Sequence, residues 1–283
     1  MTTTVWVDGE IGDERTARVS ALDHGMTVGD GVFETCKVVD GVPFALTRHL
    51  ARLARSASAL GLPLPDDDSL RAAVSATLEA HVRAEGPLTF GRLRITLTGG
   101  QGPLGSDRAA GARTLIVAAS PATPWPGRIA IATVPWTRNE RSAVAGAKTT
   151  SYAENVVALD HAHARGAHEA IFANTRGDLC EGTGSNIFVA VDGVLVTPPL
   201  SSGCLAGITR ELLLEWAAKE GLPVEERDVP LGVLATADDV VLTSSTRDVQ
   251  RVAVVDGREL RGGETGTAAA ELFARRAADG VDP

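Results

Sequence analysis

The chain has 283 residues, 44% of them hydrophobic, which is enough for two domains or one large one with a full core. With 36 acidic and 27 basic residues the net charge is −9 and no basic stripe stands out, so nucleic acid is not an expected partner. No apolar run approaches the roughly 18 residues of a membrane span, and the N-terminus lacks a basic, then apolar, leader. Three widely spaced cysteines, Cys36, Cys180 and Cys204, suit reduced thiols in a cytoplasm and show no metal-ligand spacing.

Residues 4–8 and 17–19 read as short strands broken at Asp8-Gly9. A glycine-rich bend over 23–31 follows. It precedes a strand, 32–39, rather than a helix, which favours a structural turn over a phosphate loop. Asp40-Gly41 signals a hairpin. A helix is expected over 47–60, capped by Thr47, with an apolar stripe of Leu50, Leu53, Ala54, Ala57 and Leu60. Its arginines, Arg48, Arg52 and Arg55, read by default as a solvated face. Gly61 and Pro63 stop it. A second helix covers about 69–83, and strands cover 88–98 and 114–119 around the glycine-rich loop 99–111. Three prolines in 120–127 mark a stiff linker. The expected organisation is a smaller domain over 1–119, that linker, and a larger C-terminal domain over 128–283.

Beyond the linker come a strand at 128–134 and a helix over about 152–165. His161 and His163 fall two apart on it, on different faces, so they do not make a metal pair. Strands follow at 169–174 and, with a glycine interruption, at 179–191. Glycine inside a strand marks a bulge or a close approach by another group. A helix runs over 210–219, with Lys219 placed to favour its dipole. Residues 240–243 form a buried strand ending in the hydroxyl cluster Ser244-Ser245-Thr246, and a last helix covers about 267–278.

Among the 27 basic residues only Lys37, Lys148 and Lys219 are lysines, and the one tyrosine, Tyr152, follows Lys148 by four. Lysine can lose its proton and act as a nucleophile or base where arginine cannot. Gly207-Ile208-Thr209 opens a helix, whose free N–H groups suit a phosphate. Ser245 and Thr246 add hydroxyl donors, and Glu181 sits among glycines. A lysine for an aldehyde, donors for a phosphate and a carboxylate for a ring nitrogen together meet the needs of pyridoxal phosphate.

These stretches together resemble the class IV, fold-type IV, pyridoxal-phosphate enzymes. That family holds branched-chain aminotransferases, D-amino-acid aminotransferases and 4-amino-4-deoxychorismate lyases. The resemblance spans nearly the whole chain. It rests on Gly29-Asp30-Gly31-Val32-Phe33-Glu34-Thr35, His49-Leu50-Ala51-Arg52-Leu53, Lys148 with its helix, residues 181–188, Gly207-Ile208-Thr209-Arg210 and Ser244-Ser245-Thr246. It implies a mixed α/β (α+β), two-domain fold like that of D-amino-acid aminotransferases. Lys148 is implied as Schiff-base lysine and proton shuttle, and Glu181 as partner of the pyridinium nitrogen. Arg52, the Ile208 and Thr209 backbone, Thr246 and, more weakly, Ser245 are implied as phosphate ligands, with Tyr152 near the pyridine hydroxyl. It further implies a homodimer with its active site near the domain junction and partner residues at the rim.

The 29–35 stretch looks most like the lyases, which release pyruvate and 4-aminobenzoate in folate biosynthesis, and the four-residue Lys148–Tyr152 step resembles the lyase and D-amino-acid branches. The loop 98–105 departs from the arginine-glycine loop of many relatives. Thr35, Arg92, Arg94 and Arg138 are then the candidates for contacting a small amino substrate. A D-amino-acid or branched-chain transaminase is the alternative. A non-catalytic scaffold would not need Lys148 and Glu181 together.

Overall fold

The computed structural model describes residues 2–283. Packing divides them into two units. One runs to Pro124 and also takes in Ala147–Tyr152 and Asp282; the other comprises Trp125–Gly146, Ala153–Val281 and Pro283. The segment bearing Lys148 thus groups with the N-terminal unit, not with the C-terminal segment expected to carry it. The reason is backbone pairing. Phe33 N–H donates to the Lys148 carbonyl (2.9 Å) and Thr150 N–H to the Gly31 carbonyl (2.8 Å). Val32 and Thr149 form an antiparallel bridge.

The first unit holds β1 (Thr4–Val7), β2 (Glu10–Asp13), α1 (His24–Thr27), β3 (Gly31–Val39), β4 (Val42–Pro43), α2 (Leu46–Leu60), α3 (Asp67–Glu85), β5 (Phe90–Thr98) and β6 (Thr114–Pro121). Its sheet has the order β2-β1-β6-β5-β3-β4 and is antiparallel throughout. Side chains alternate across a strand, so Val32, Cys36 and Val38 of β3 face the same core as Leu93, Ile95 and Leu97 of β5. Leu50 and Leu53 of α2 and Leu70 and Val74 of α3 complete it. The opposite parity carries Phe33, Thr35 and Lys37, directly across from Thr96, Arg94 and Arg92.

Four local expectations are corrected in this unit. No strand forms at 17–19. Asp8 (φ 44°) and Gly9 (φ 106°) close a tight turn, so the partner strand begins at once, at Glu10. The Asp13 side chain ends that strand by accepting from Arg15 N–H and Thr16 N–H. The 23–31 bend contains α1, capped by Asp23. Thr47 does not cap α2. Ala45 occupies the N-cap with a left-handed backbone (φ 56°) and no side-chain bond, while the Thr47 hydroxyl donates to Asp282. Fourth, β6 continues through Pro121, two residues into the proline-rich stretch.

The second unit holds β7 (Arg128–Arg138), α4 (Ala153–His163), β8 (Glu169–Asn174), β9 (Leu179–Gly182), β10 (Asn186–Val191), β11 (Val194–Thr197), α5 (Ile208–Glu220), β12 (Val224–Glu226), β13 (Val240–Ser244), β14 (Asp248–Val255), β15 (Arg258–Glu259) and α6 (Glu264–Ala278). The sheet order is β12-β11-β10-β13-β14-β7-β8-β9, with β15 on β14. Pairs β11–β12, β14–β7 and β7–β8 are parallel. The core is aliphatic, from Ile129 and Ile131 of β7 to Val240 and Leu242 of β13. Ala158 and Ala162 of α4 pack with Phe172 of β8. The 179–191 run is two strands with a loop at 183–185. Strand β14 is not legible in the sequence, because Asp248 and Arg251 break its apolar alternation. Among the described residues no helix is long and apolar enough to cross a membrane.

Helix α3 starts where Asp66 accepts from Ser69 N–H (2.8 Å), satisfying a donor that the helix itself leaves unpaired. Asp66→Ala should cost about 1 kcal/mol, read as a lower urea midpoint with an unchanged slope. No loss of stability would contradict the assigned cap.

Candidate active site

Lys148 is half-buried and its own backbone is held twice: its carbonyl accepts from Phe33 N–H of β3, and its N–H donates to Ser56 Oγ of α2 (3.1 Å). Its Nζ lies 4.3 Å from the centroid of the Phe33 ring and 5.9 Å from that of Tyr152. The two rings meet edge to face, 5.3 Å apart at 76°, a favoured aromatic geometry. On the other part of Phe33 lies the Arg94 guanidinium, 3.7 Å from the centroid. Partial desolvation there pulls the Arg94 pKa below the usual arginine value, which nearby Tyr152 partly offsets. Thr35 sits across from Arg94 on the same sheet face. So Lys148, Tyr152 and Arg94 gather around Phe33 in the first unit, with Thr35 on the same sheet face. Arg92 is exposed, across from Lys37.

The bend at Gly29-Asp30-Gly31 turns carbonyls, not N–H groups, toward this segment. The Gly29 carbonyl accepts from Thr150 Oγ1 and Ser151 Oγ, both at 2.9 Å. The other lysines are accounted for without chemistry. Lys37 is buried, 4.7 Å from the Phe44 ring centroid, and Lys219 lies in the last turn of α5.

Arg52 is buried, not on a solvated face. Its Nε and Nη2 donate to the two oxygens of Glu34, each at 2.7 Å. His49 Nδ1, also 2.7 Å away, must donate as well, because an ionised carboxylate only accepts. Burial alone would push the Glu34 carboxyl up; the Arg52 charge and hydrogen bonds, with those of His49, outweigh it and bring it down to about 2. Burial pulls His49 below its ordinary value despite Glu34. Glu34 shares the parity of Val32, Cys36 and Val38. An acid at a core position calls for a cationic partner, and His49 and Arg52, three apart on α2, share the face that meets it. That signal was present in the sequence.

In the second unit Glu181 is half-buried on β9. Its Oε2 accepts from Leu205 N–H (2.9 Å), and its Oε1 lies 3.3 Å from Arg138 Nε. Arg138 also donates to Glu154 (2.7 Å) and stacks 4.1 Å from the Phe172 centroid. Within this unit Arg138 thus faces two carboxylates of its own chain.

Ile208 and Thr209 open α5, whose N-cap, Gly207, contributes no side-chain bond. A Cβ at Gly207 would lie 1.9 Å from Asn186 Oδ1, so this turn requires glycine. Ser245 and Thr246 form the turn after β13. Thr246 Oγ1 accepts from Trp125 Nε1 (3.4 Å). An α-helix N-terminus without a side-chain cap, set behind a glycine that admits no Cβ, fits an anion. The second unit thus offers a carboxylate and a helix N-terminus, and the first a backbone-restrained lysine, the residue types that pyridoxal phosphate needs. Among the described residues no cluster of His, Cys, Asp and Glu could hold a metal.

The Glu34 site makes an acid-sensitivity prediction. Both folded-state pKa values are depressed, so the unfolded chain binds more protons and stability falls as the pH is lowered. The His49 contribution should be lost below about 6.5 and that of Glu34 between about 4.5 and 2. Glu34→Ala leaves Arg52 buried without its carboxylate and should cost about 3–5 kcal/mol. Urea titrations across pH would contradict this by showing the same acid dependence in wild type and variant.

Known proteins resemble this chain over most of its length. The family model for class IV amino-transferases matches residues 31–255. A bifunctional aminodeoxychorismate lyase / D-amino acid transaminase of Mycobacterium tuberculosis is 34% identical, over 95% of this chain and 96% of its own. A branched-chain aminotransferase of the archaeon Thermoproteus uzoniensis, solved with norvaline, superposes with a TM-score of 0.88 at 33% identity, covering 97% of this chain and 94% of that one. A hypothetical aminotransferase of M. tuberculosis in its PLP-bound form gives 0.85 at 31% identity, covering 97% and 98%. The chain belongs to the class IV aminotransferases, a family of pyridoxal-phosphate-dependent enzymes with a mixed α/β fold.

Proposed function

We propose that the protein is a 4-amino-4-deoxychorismate lyase, releasing pyruvate and 4-aminobenzoate. The observation carrying this reading is the placement of Lys148 Nζ beside Phe33 and Tyr152, with Thr35 on the sheet face that carries Phe33. It gives a spatial basis to the lyase-like 29–35 stretch and to the four-residue step from lysine to tyrosine. The lyase activity of the bifunctional relative supports it.

When bound, pyridoxal phosphate supplies an electron sink for charge left on the amine-bearing carbon. The chain's own residues do the rest. Lys148 Nζ takes the proton from that carbon, acting as general base, and returns a proton to the departing enol-pyruvyl group. Its backbone bonds to β3 and Ser56 limit where Nζ can reach, and near-attack geometry depends on that restriction. Phe33 and Tyr152 lie beside the amine and restrict where it can move. Glu181, fixed by Leu205 N–H and Arg138, holds a proton at the ring nitrogen. Thr35 offers a hydroxyl on the sheet face that carries Phe33.

A second reading, transfer of the amino group from a D-amino acid, is favoured by Arg94. A planar guanidinium lying on Phe33 and partly desolvated is suited to a substrate carboxylate. Both readings use Lys148 alike.

The deciding comparison measures release of 4-aminobenzoate and pyruvate from aminodeoxychorismate against transfer from D-alanine or L-leucine to 2-oxoglutarate. The lyase reading expects the first to dominate; brisk transfer without 4-aminobenzoate would replace it with the second. Lys148→Ala should lower every turnover by about 10³-fold or more with the fold retained by circular dichroism. Glu181→Gln should slow turnover sharply while leaving the protein folded, and unchanged kinetics would remove Glu181 from the site.

A further inference from the structure

Glu169 and Arg247 form a buried ion pair that no step above uses. Arg247 Nη2 donates to Glu169 Oε2 at 3.0 Å; their side chains are 6% and 1% exposed. Arg247 Nη1 donates to Gln250 Oε1 (3.0 Å), and Gln250 Nε2 donates to the Pro126 carbonyl (2.7 Å). The guanidinium lies 3.6 Å from the centroid of the Trp125 ring system. Trp125 in turn donates its indole N–H to Thr246 Oγ1. The Ser245-Thr246 turn is therefore gripped through Trp125 and Arg247, and Arg247 is its next residue in the chain.

Glu169 reaches a second loop as well. It accepts from Thr183 N–H (3.0 Å), from the Thr183 hydroxyl and from Ser185 Oγ (3.2 Å). This loop directly follows β9, which carries Glu181. Gly182 is what lets the carboxylate in: a Cβ there would lie 3.2 Å from Glu169 Cδ and 2.4 Å from Ser185 Oγ. One buried carboxylate thus ties the loop after Glu181 to the turn that holds Thr246.

We propose that Arg247 is a positioning residue for the cofactor's phosphate, acting through Trp125 and Thr246. An indole N–H can only donate. A hydroxyl that accepts from it must direct its own proton elsewhere, and the donation polarises that proton. Thr246 is thereby set as a donor to an anion. Glu169 offsets the buried charge of Arg247, and the stack on Trp125 fixes the indole's orientation. The inference rests on the pyridoxal-phosphate site and is independent of which substrate is used.

The test removes the cofactor from wild-type and variant protein, then titrates each with pyridoxal phosphate and with pyridoxal, which lacks the phosphate, reading the absorbance of the bound ring. Arg247→Ala should weaken pyridoxal phosphate about tenfold or more and change pyridoxal by less than about twofold. Arg247→Lys keeps the charge opposite Glu169 but not the planar stack, and should recover part of the loss. Trp125→Phe keeps a ring under Arg247 and deletes the donor, and should weaken pyridoxal phosphate alone, by about threefold or more. Wild-type phosphate affinity in Arg247→Ala or Trp125→Phe overturns the proposal, as does an equal loss of both ligands. Should Arg247→Ala fail to fold, Trp125→Phe decides. A wild-type protein that takes up no pyridoxal phosphate would instead overturn the cofactor site itself.

Discussion

Two backbone hydrogen bonds, Phe33 N–H to the Lys148 carbonyl and Thr150 N–H to the Gly31 carbonyl, are the constraint on which the chemistry depends. They pin a segment late in the chain onto a strand near its start. A lysine on a free loop would have to give up its conformational freedom each time it acted; here folding has already restricted its backbone. The same register places Phe33 beside Nζ and leaves Glu34, one residue on, facing the helices. One strand thereby serves both the reacting group and the buried network beneath it.

Three carboxylates show how environment assigns different work to one side chain. Glu34 is fully buried and matched by Arg52 and His49, so its cost of burial is offset by charge and hydrogen bonds. The pairing orients the Arg52 guanidinium that the family resemblance assigns to the phosphate. Glu169 is equally buried, yet it gathers hydroxyls, an N–H and Arg247 from separate segments. Glu181 is half-buried, with one oxygen on a backbone N–H and the other beside Arg138. Of the three, Glu181 is the one that the family resemblance assigns to the ring nitrogen.

The sequence made most elements legible, because strand alternation and helix stripes are local signals. It also singled out Lys148, through the scarcity of lysine. What escaped it was chemistry between segments far apart in the chain. Thr47 has the composition of a cap, but a left-handed Ala45 starts the helix and Asp282 takes the hydroxyl; neither is visible locally. Arg138 reads as a candidate substrate contact, and only the fold shows β9 bringing Glu181 beside it. Arg247 reads as part of a polar turn, and nothing in its neighbours predicts that Trp125 will lie beneath it. Arg52 was a different case. Its burial was recoverable from the parity of Glu34, had an acid among apolar core positions been taken as a demand for a partner.

The central claim is that Lys148, and not either of the other two lysines, carries the cofactor. Borohydride converts a lysine-bound aldehyde into a stable secondary amine, which peptide mass spectrometry locates. The account predicts a pyridoxyl group on Lys148 of the reduced protein. A label on Lys37 or Lys219, or none on any lysine of protein that binds pyridoxal phosphate, would contradict it.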